Sequence, residues 1–73
     1  MVKYEILEKY GVIGKRKEGD LELRLIAWDG KAPQYDIRPW YIENGEERCL
    51  KGQVFSKEEL KNLGSLISKV TLL

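Results

Sequence analysis

Residues 35–52 hold the side chains best suited to chemistry. The run Tyr35-Asp36-Ile37-Arg38-Pro39-Trp40-Tyr41 sets a guanidinium beside aromatic rings, and Lys51-Gly52 follows after an Asn44-Gly45 turn. A planar cation can hydrogen-bond phosphate and stack on a base, and flat rings stack on bases of any sequence. Arg38, Trp40, Tyr41 and Lys51 are therefore candidate contacts for unpaired nucleic acid. Gly52 would let a strand approach the backbone closely; its plainer reading is a bulge before a helix. At least one of Trp40 and Tyr41 belongs to the core, because strand aromatics usually pack. Trp28 and Arg24 are further candidates, as are Lys15 and Lys17 of the cluster Lys15-Arg16-Lys17. Against these stand a covered core edge for Trp28 and a solvated turn for the basic run.

The chain offers little for catalysis. It has no histidine, and its one cysteine, Cys49, lacks a base to activate it. One thiolate does not make a zinc site. Glu46 and Glu47 are adjacent, so on a strand they point to opposite faces and do not form an acid–base pair. No phosphate-cradling glycine motif is present. The sequence reads as a non-enzyme without metal or cofactor.

Seventy-three residues form one domain, 1–73. A chain of that size buries only about 60% of its unfolded surface. With no possible intrachain disulfide, association is the remaining support, and a homodimer is expected. The net charge is +1, and residues 1–56 carry ten charges of each sign, so any binding face must come from local arrangement. No stretch approaches the roughly 20 apolar residues of a membrane span. Met1-Val2-Lys3-Tyr4-Glu5 has no apolar signal region. The expected location is cytoplasmic.

The elements that would position these residues are short strands. Turn signals at Glu18-Gly19-Asp20, Asp29-Gly30 and Asn44-Gly45 separate runs rich in Leu, Ile, Val, Tyr and Trp, the pattern of an antiparallel meander. Strand one lies within Lys3 to Lys15, with a bend or bulge at Gly11 and Gly14. In strand two, Leu21, Leu23, Leu25 and Ala27 alternate with Glu22, Arg24, Ile26 and Trp28, predicting a buried face and a more polar one. Strand three spans about Gln34 to Ile42. Pro39 conflicts with a central strand, and a bulge there would decide which of Trp40 and Tyr41 faces out. Strand four spans about Glu47 to Phe55. Ser56-Lys57-Glu58-Glu59 is a capping box that opens a helix. Leu60, Leu63, Ile67 and Val70 form a short heptad-like seam, the expected dimer interface, and Leu66 and Leu73 widen it. Gly64 reflects either close approach of another backbone or simple neutrality.

The block from Tyr35 to Leu60 resembles the transcriptional coactivator family known as positive cofactor four, and its small bacterial branch in particular. The resemblance rests on Asp36-Ile37-Arg38, Trp40-Tyr41, Glu43-Asn44-Gly45-Glu46, Lys51-Gly52 and Ser56-Lys57-Glu58-Glu59, in that order, with Trp28 upstream. It implies an α+β fold: a curved four-stranded antiparallel meander followed by one C-terminal helix, in a homodimer. It implies binding of single-stranded DNA or melted duplex with little sequence preference, in transcription, replication or repair, with nucleoid association. It places Arg38, Trp40 or Tyr41, and Lys51 against the nucleic acid. The alternative from a different class is a coactivator-like dimer that recruits transcription or replication proteins and touches nucleic acid weakly. RNA is a third possible ligand.

Overall fold

The computed structural model describes residues 3–70. Its elements are β1 (Tyr4–Arg16), β2 (Gly19–Trp28), β3 (Gln34–Glu43), β4 (Glu46–Cys49), β5 (Gln53–Phe55) and α1 (Lys57–Ile67). Glu43 pairs with Glu46 across a two-residue turn in which Asn44 (φ 52°) and Gly45 (φ 79°) are both left-handed. That backbone matches the twist of the strands it joins, which is why Asn-Gly suits it. The sheet is antiparallel, in the order β1-β2-β3-β4, and β5 also pairs with β3. The fold is α+β, an antiparallel sheet with one C-terminal helix.

The fourth strand is broken, and the reason lies opposite the break. The expected continuous strand from Glu47 to Phe55 is instead β4 and β5, separated by Leu50-Lys51-Gly52. Pro39 accepts a hydrogen bond from the Leu50 N–H at 3.0 Å. Within an antiparallel strand a residue's N–H and C=O point the same way, so the donor that Pro39 lacks also falls on this side. The pairing register with β3 then slips by one residue between Trp40↔Cys49 and Asp36↔Val54. The irregularity that proline demands therefore sits in the neighbouring strand, and β3 keeps its alternation. Asp36, Arg38 and Trp40 share one face, and Tyr41 lies on the other.

β1 is bulged more often than its glycines announce. The pairing with β2 skips Leu7, Tyr10 and Ile13, at shifts between Ile6 and Glu8, Lys9 and Gly11, and Val12 and Gly14. Repeated bulges raise the local twist and curl the sheet. Flat, β1 and β4 would lie about 14 Å apart. Yet Lys9 of β1 meets Glu47 of β4 at 3.7 Å, and the Tyr4 and Trp40 rings are 5.9 Å apart. The sheet has closed over one face, the hollow face.

This reverses the expected burial of β2. Its sealed residues are Arg24 and Ile26, in the row expected to be the more polar; Leu21, Leu23, Leu25 and Ala27 are only half-buried. The leucine row faces α1, which lies across the opposite, helix face. There Leu60, Leu63, Gly64 and Ile67 face Ile13, Leu23 and Ile37 across an apolar cleft of about 370 Å³. The capping box is formed: Glu59 N–H donates to Ser56 Oγ (3.1 Å) and Ser56 N–H to Glu59 Oε1 (2.8 Å). The helix stops at Ile67, so Val70 does not continue the seam. Ser68 Oγ donates to the Ser65 carbonyl at 2.7 Å, a local bond that competes with further helix. Leu73 lies outside the described residues. Among them, no helix is long and apolar enough to cross a membrane.

Candidate nucleic-acid interface

On the hollow face two arginines from neighbouring strands each lie on a tryptophan of the other strand. The Arg24 guanidinium sits 3.9 Å from the Trp40 ring centre, and that of Arg38 sits 4.5 Å from the Trp28 ring centre. Both distances fall within cation–π range. The two pairs differ in what surrounds them.

Arg24 is 1% exposed, and its three nitrogens are all occupied. Nε and Nη2 donate to Glu22 Oε1 at 3.1 and 3.0 Å, and Nη1 and Nη2 donate to Glu47 at 3.0 and 2.7 Å. Burial pulls the guanidinium down, and the hydrogen bonds and charges of Glu47 and Glu22 outweigh this and leave it above its ordinary value. The Arg24 hydrogen bonds hold the Glu47 carboxyl below its ordinary value against the opposing effect of burial. Trp40, beneath Arg24, is 3% exposed. The expectation that Arg24 and Trp40 contact a ligand is thus corrected. The curl of the sheet covers both, and two carboxylates engage all three nitrogens of Arg24.

Arg38 is held at one end only. Its Nε donates to Asp36 Oδ1 at 2.6 Å, and Asp36, fully buried, also accepts from Trp28 Nε1 at 3.2 Å. No hydrogen bond ties Arg38 Nη1 or Nη2 to the protein among the described residues. The one sealed side-chain donor without a partner among those residues is Trp40 Nε1, so the Arg38 tips reach solvent. Trp28 is half-buried beside them.

The helix face carries the second feature. Arg16, Leu21, Ile37, Pro39, Lys51, Gly52 and Gln53 line an open groove of about 460 Å³. It holds two cations and no carboxylate. The pleat puts Arg16 here with Leu21 and Pro39, while the break between β4 and β5 brings Lys51. Lys15 and Lys17 flank Arg16 and are exposed. Tyr41 is half-buried on β3.

The residues singled out in the sequence therefore do not form a single patch. Arg38 and Trp28 meet on the hollow face; Lys51 and Arg16 meet on the helix face. Gly52 borders both, and its role is corrected. A Cβ there would collide with the Cβ of Arg38 and the carbonyl of Ile37, so the missing side chain admits β3 rather than a ligand. Sequence reasoning missed Glu47, Glu22 and Lys9 as the ring around Arg24. Their signal was an arginine in an alternating strand with no fixed partner, which only the curl supplies.

No family model matches the sequence. A protein of Treponema pallidum (strain Nichols), described as an uncharacterized protein, is 30% identical over 70 residues, covering 94% of this chain and 80% of that protein. The chain belongs to the same family as that spirochaete protein.

Proposed function

We propose that the protein is a single-stranded-DNA-binding homodimer of the positive cofactor four type. The observation that carries the reading is the groove of Arg16 and Lys51 on the helix face. It pairs cations for phosphates with the apolar Leu21, Ile37 and Pro39 for bases, and no acidic side chain lines it. The hollow face is a poorer seat for phosphate. Lys9, Arg24 and Arg38 there are matched by Glu22, Asp36 and Glu47, three charges of each sign.

The dimer is supported by exposed area. The protomer exposes 5928 Å², against about 4,700 Å² for a compact monomer of its mass. The excess, roughly 1,200 Å², is about one partner's share of an obligate dimer interface. It includes Leu66 and Ile67 of α1, Val70 beyond it, and Ile13 of β1, each more than half exposed. A second copy laid on this side would cover Ile67, the apolar cleft and the half-buried Leu60 and Leu63.

The test is fluorescence anisotropy with labelled oligo-dT and with a duplex of equal length. The single strand binds more tightly, and Arg16→Ala and Lys51→Ala each weaken it several-fold while the exposed sites leave the melting temperature unchanged. Undiminished affinity in the double variant removes the groove from the account.

A further inference from the structure

Among the described residues no hydrogen bond uses the terminal nitrogens of Arg38, and their setting limits what they can bind. Asp36 takes Nε and fixes the guanidinium against the Trp28 ring, so the two Nη atoms remain as a coplanar pair of donors that the fold neither seals nor uses among the described residues. Asp36 also cancels the charge, and the surrounding Glu22 and Glu47 cancel that of Arg24 and Lys9. A phosphate would meet a face with no net positive charge. A neutral ligand edge with two adjacent acceptors meets matched donors and no electrostatic penalty.

We propose that Arg38 reads a guanine, its two Nη groups donating to the O6 and N7 acceptors of that base, with Asp36 as the positioning residue and Trp28 as the wall beside it. Arginine donors match that edge, whereas adenine offers a donor in place of one acceptor and the two carbonyls of thymine are separated by its N3–H donor. Guanine is favoured over cytosine, whose O2 and N3 are also adjacent acceptors, because the larger purine covers more of an aromatic wall. The inference rests on the single-strand reading above and adds to it a preference for one base. Gly52, which lines the phosphate groove and abuts Arg38, is where the two features adjoin.

The experiment uses the full chain and four labelled thymidine oligonucleotides of equal length, with thymine, guanine, cytosine or 7-deazaguanine at the centre. The guanine strand binds about tenfold more tightly than the all-thymine strand, within the range a bidentate pair gives. The 7-deazaguanine strand, lacking N7, loses most of that advantage without any change to the protein. Arg38→Lys brings the guanine-to-thymine ratio toward one, because an ammonium presents no coplanar pair. Equal affinity for guanine and thymine, equal affinity for guanine and cytosine, or a preference that survives Arg38→Lys overturns the inference and leaves strand binding standing. Failure of every oligonucleotide to bind overturns both.

Discussion

Arg24 and Arg38 carry the same group, each over an indole, and differ in what holds their terminal nitrogens. Arg24 is a structural cation: removing it leaves Glu22 without its counter-charge and Glu47 with only the longer Lys9 pair, and opens a cavity above Trp40. Arg24→Ala is expected to cost about 3–5 kcal/mol, read as a lowered midpoint in urea unfolding. An Arg24→Ala midpoint equal to the wild type would mean that the ring of charges contributes nothing. The same ring sets an acid limit. Glu47 has its folded pKa below the ordinary 4.5 because of Arg24. The stability it contributes is present above that value and is lost as pH falls through the lower, folded pKa. The melting temperature should therefore change little from neutral pH down to about 5 and fall below about 4.5. Glu47→Gln should flatten that fall; an unchanged acid limb would assign it to other carboxylates.

At the scale of elements, the turns and the cap were legible because each depends on a few adjacent residues. Asn44-Gly45 demands left-handed backbone, and Ser56 with Glu59 closes on itself within one helical turn. Pro39 signalled an irregularity, but its position in the neighbouring strand follows from the direction of one carbonyl, which no local pattern reveals. The buried face of β2 was misread for a related reason. Alternation separates two faces without saying which one the sheet curls around, and here the curl comes from bulges at Leu7, Tyr10 and Ile13 in another strand. Of the candidate binding residues, Lys51 and Arg38 were visible as types. Their placement on opposite faces was not, since it depends on the break at Leu50–Gly52. That break predicts its own weak point. Gly52→Ala must push β4–β5 off β3, and a cost of about 1–3 kcal/mol or more is expected in thermal or urea unfolding. A Gly52→Ala protein as stable as the wild type would show that the two strands separate easily there.

For the whole molecule, the radius of gyration is 13.5 Å, against roughly 11 Å for a compact chain of this length. Ile26, Pro39 and Trp40 are the only apolar residues buried among those described. So small a sealed core favours the proposed dimer, which would cover the helix face. The melting temperature should rise with protein concentration, as it does when folding is linked to association. Ile67→Asp should abolish that dependence and yield a monomer in sedimentation. A concentration-independent melting temperature in the wild type would argue for a self-sufficient protomer. Near-neutral overall charge means that long-range attraction is weak, so the proposed affinity for a strand would have to come from the groove itself.

The proposed role of this groove is to hold the backbone of an unpaired strand through its cations. Titrating labelled oligo-dT across a range of salt concentrations tests it most directly. Log affinity should fall linearly with log salt, with a slope of about −0.7 for each phosphate neutralised, and the slope should become shallower by about that amount in Lys51→Ala. Affinity independent of salt, or no binding even at the lowest salt, would contradict it.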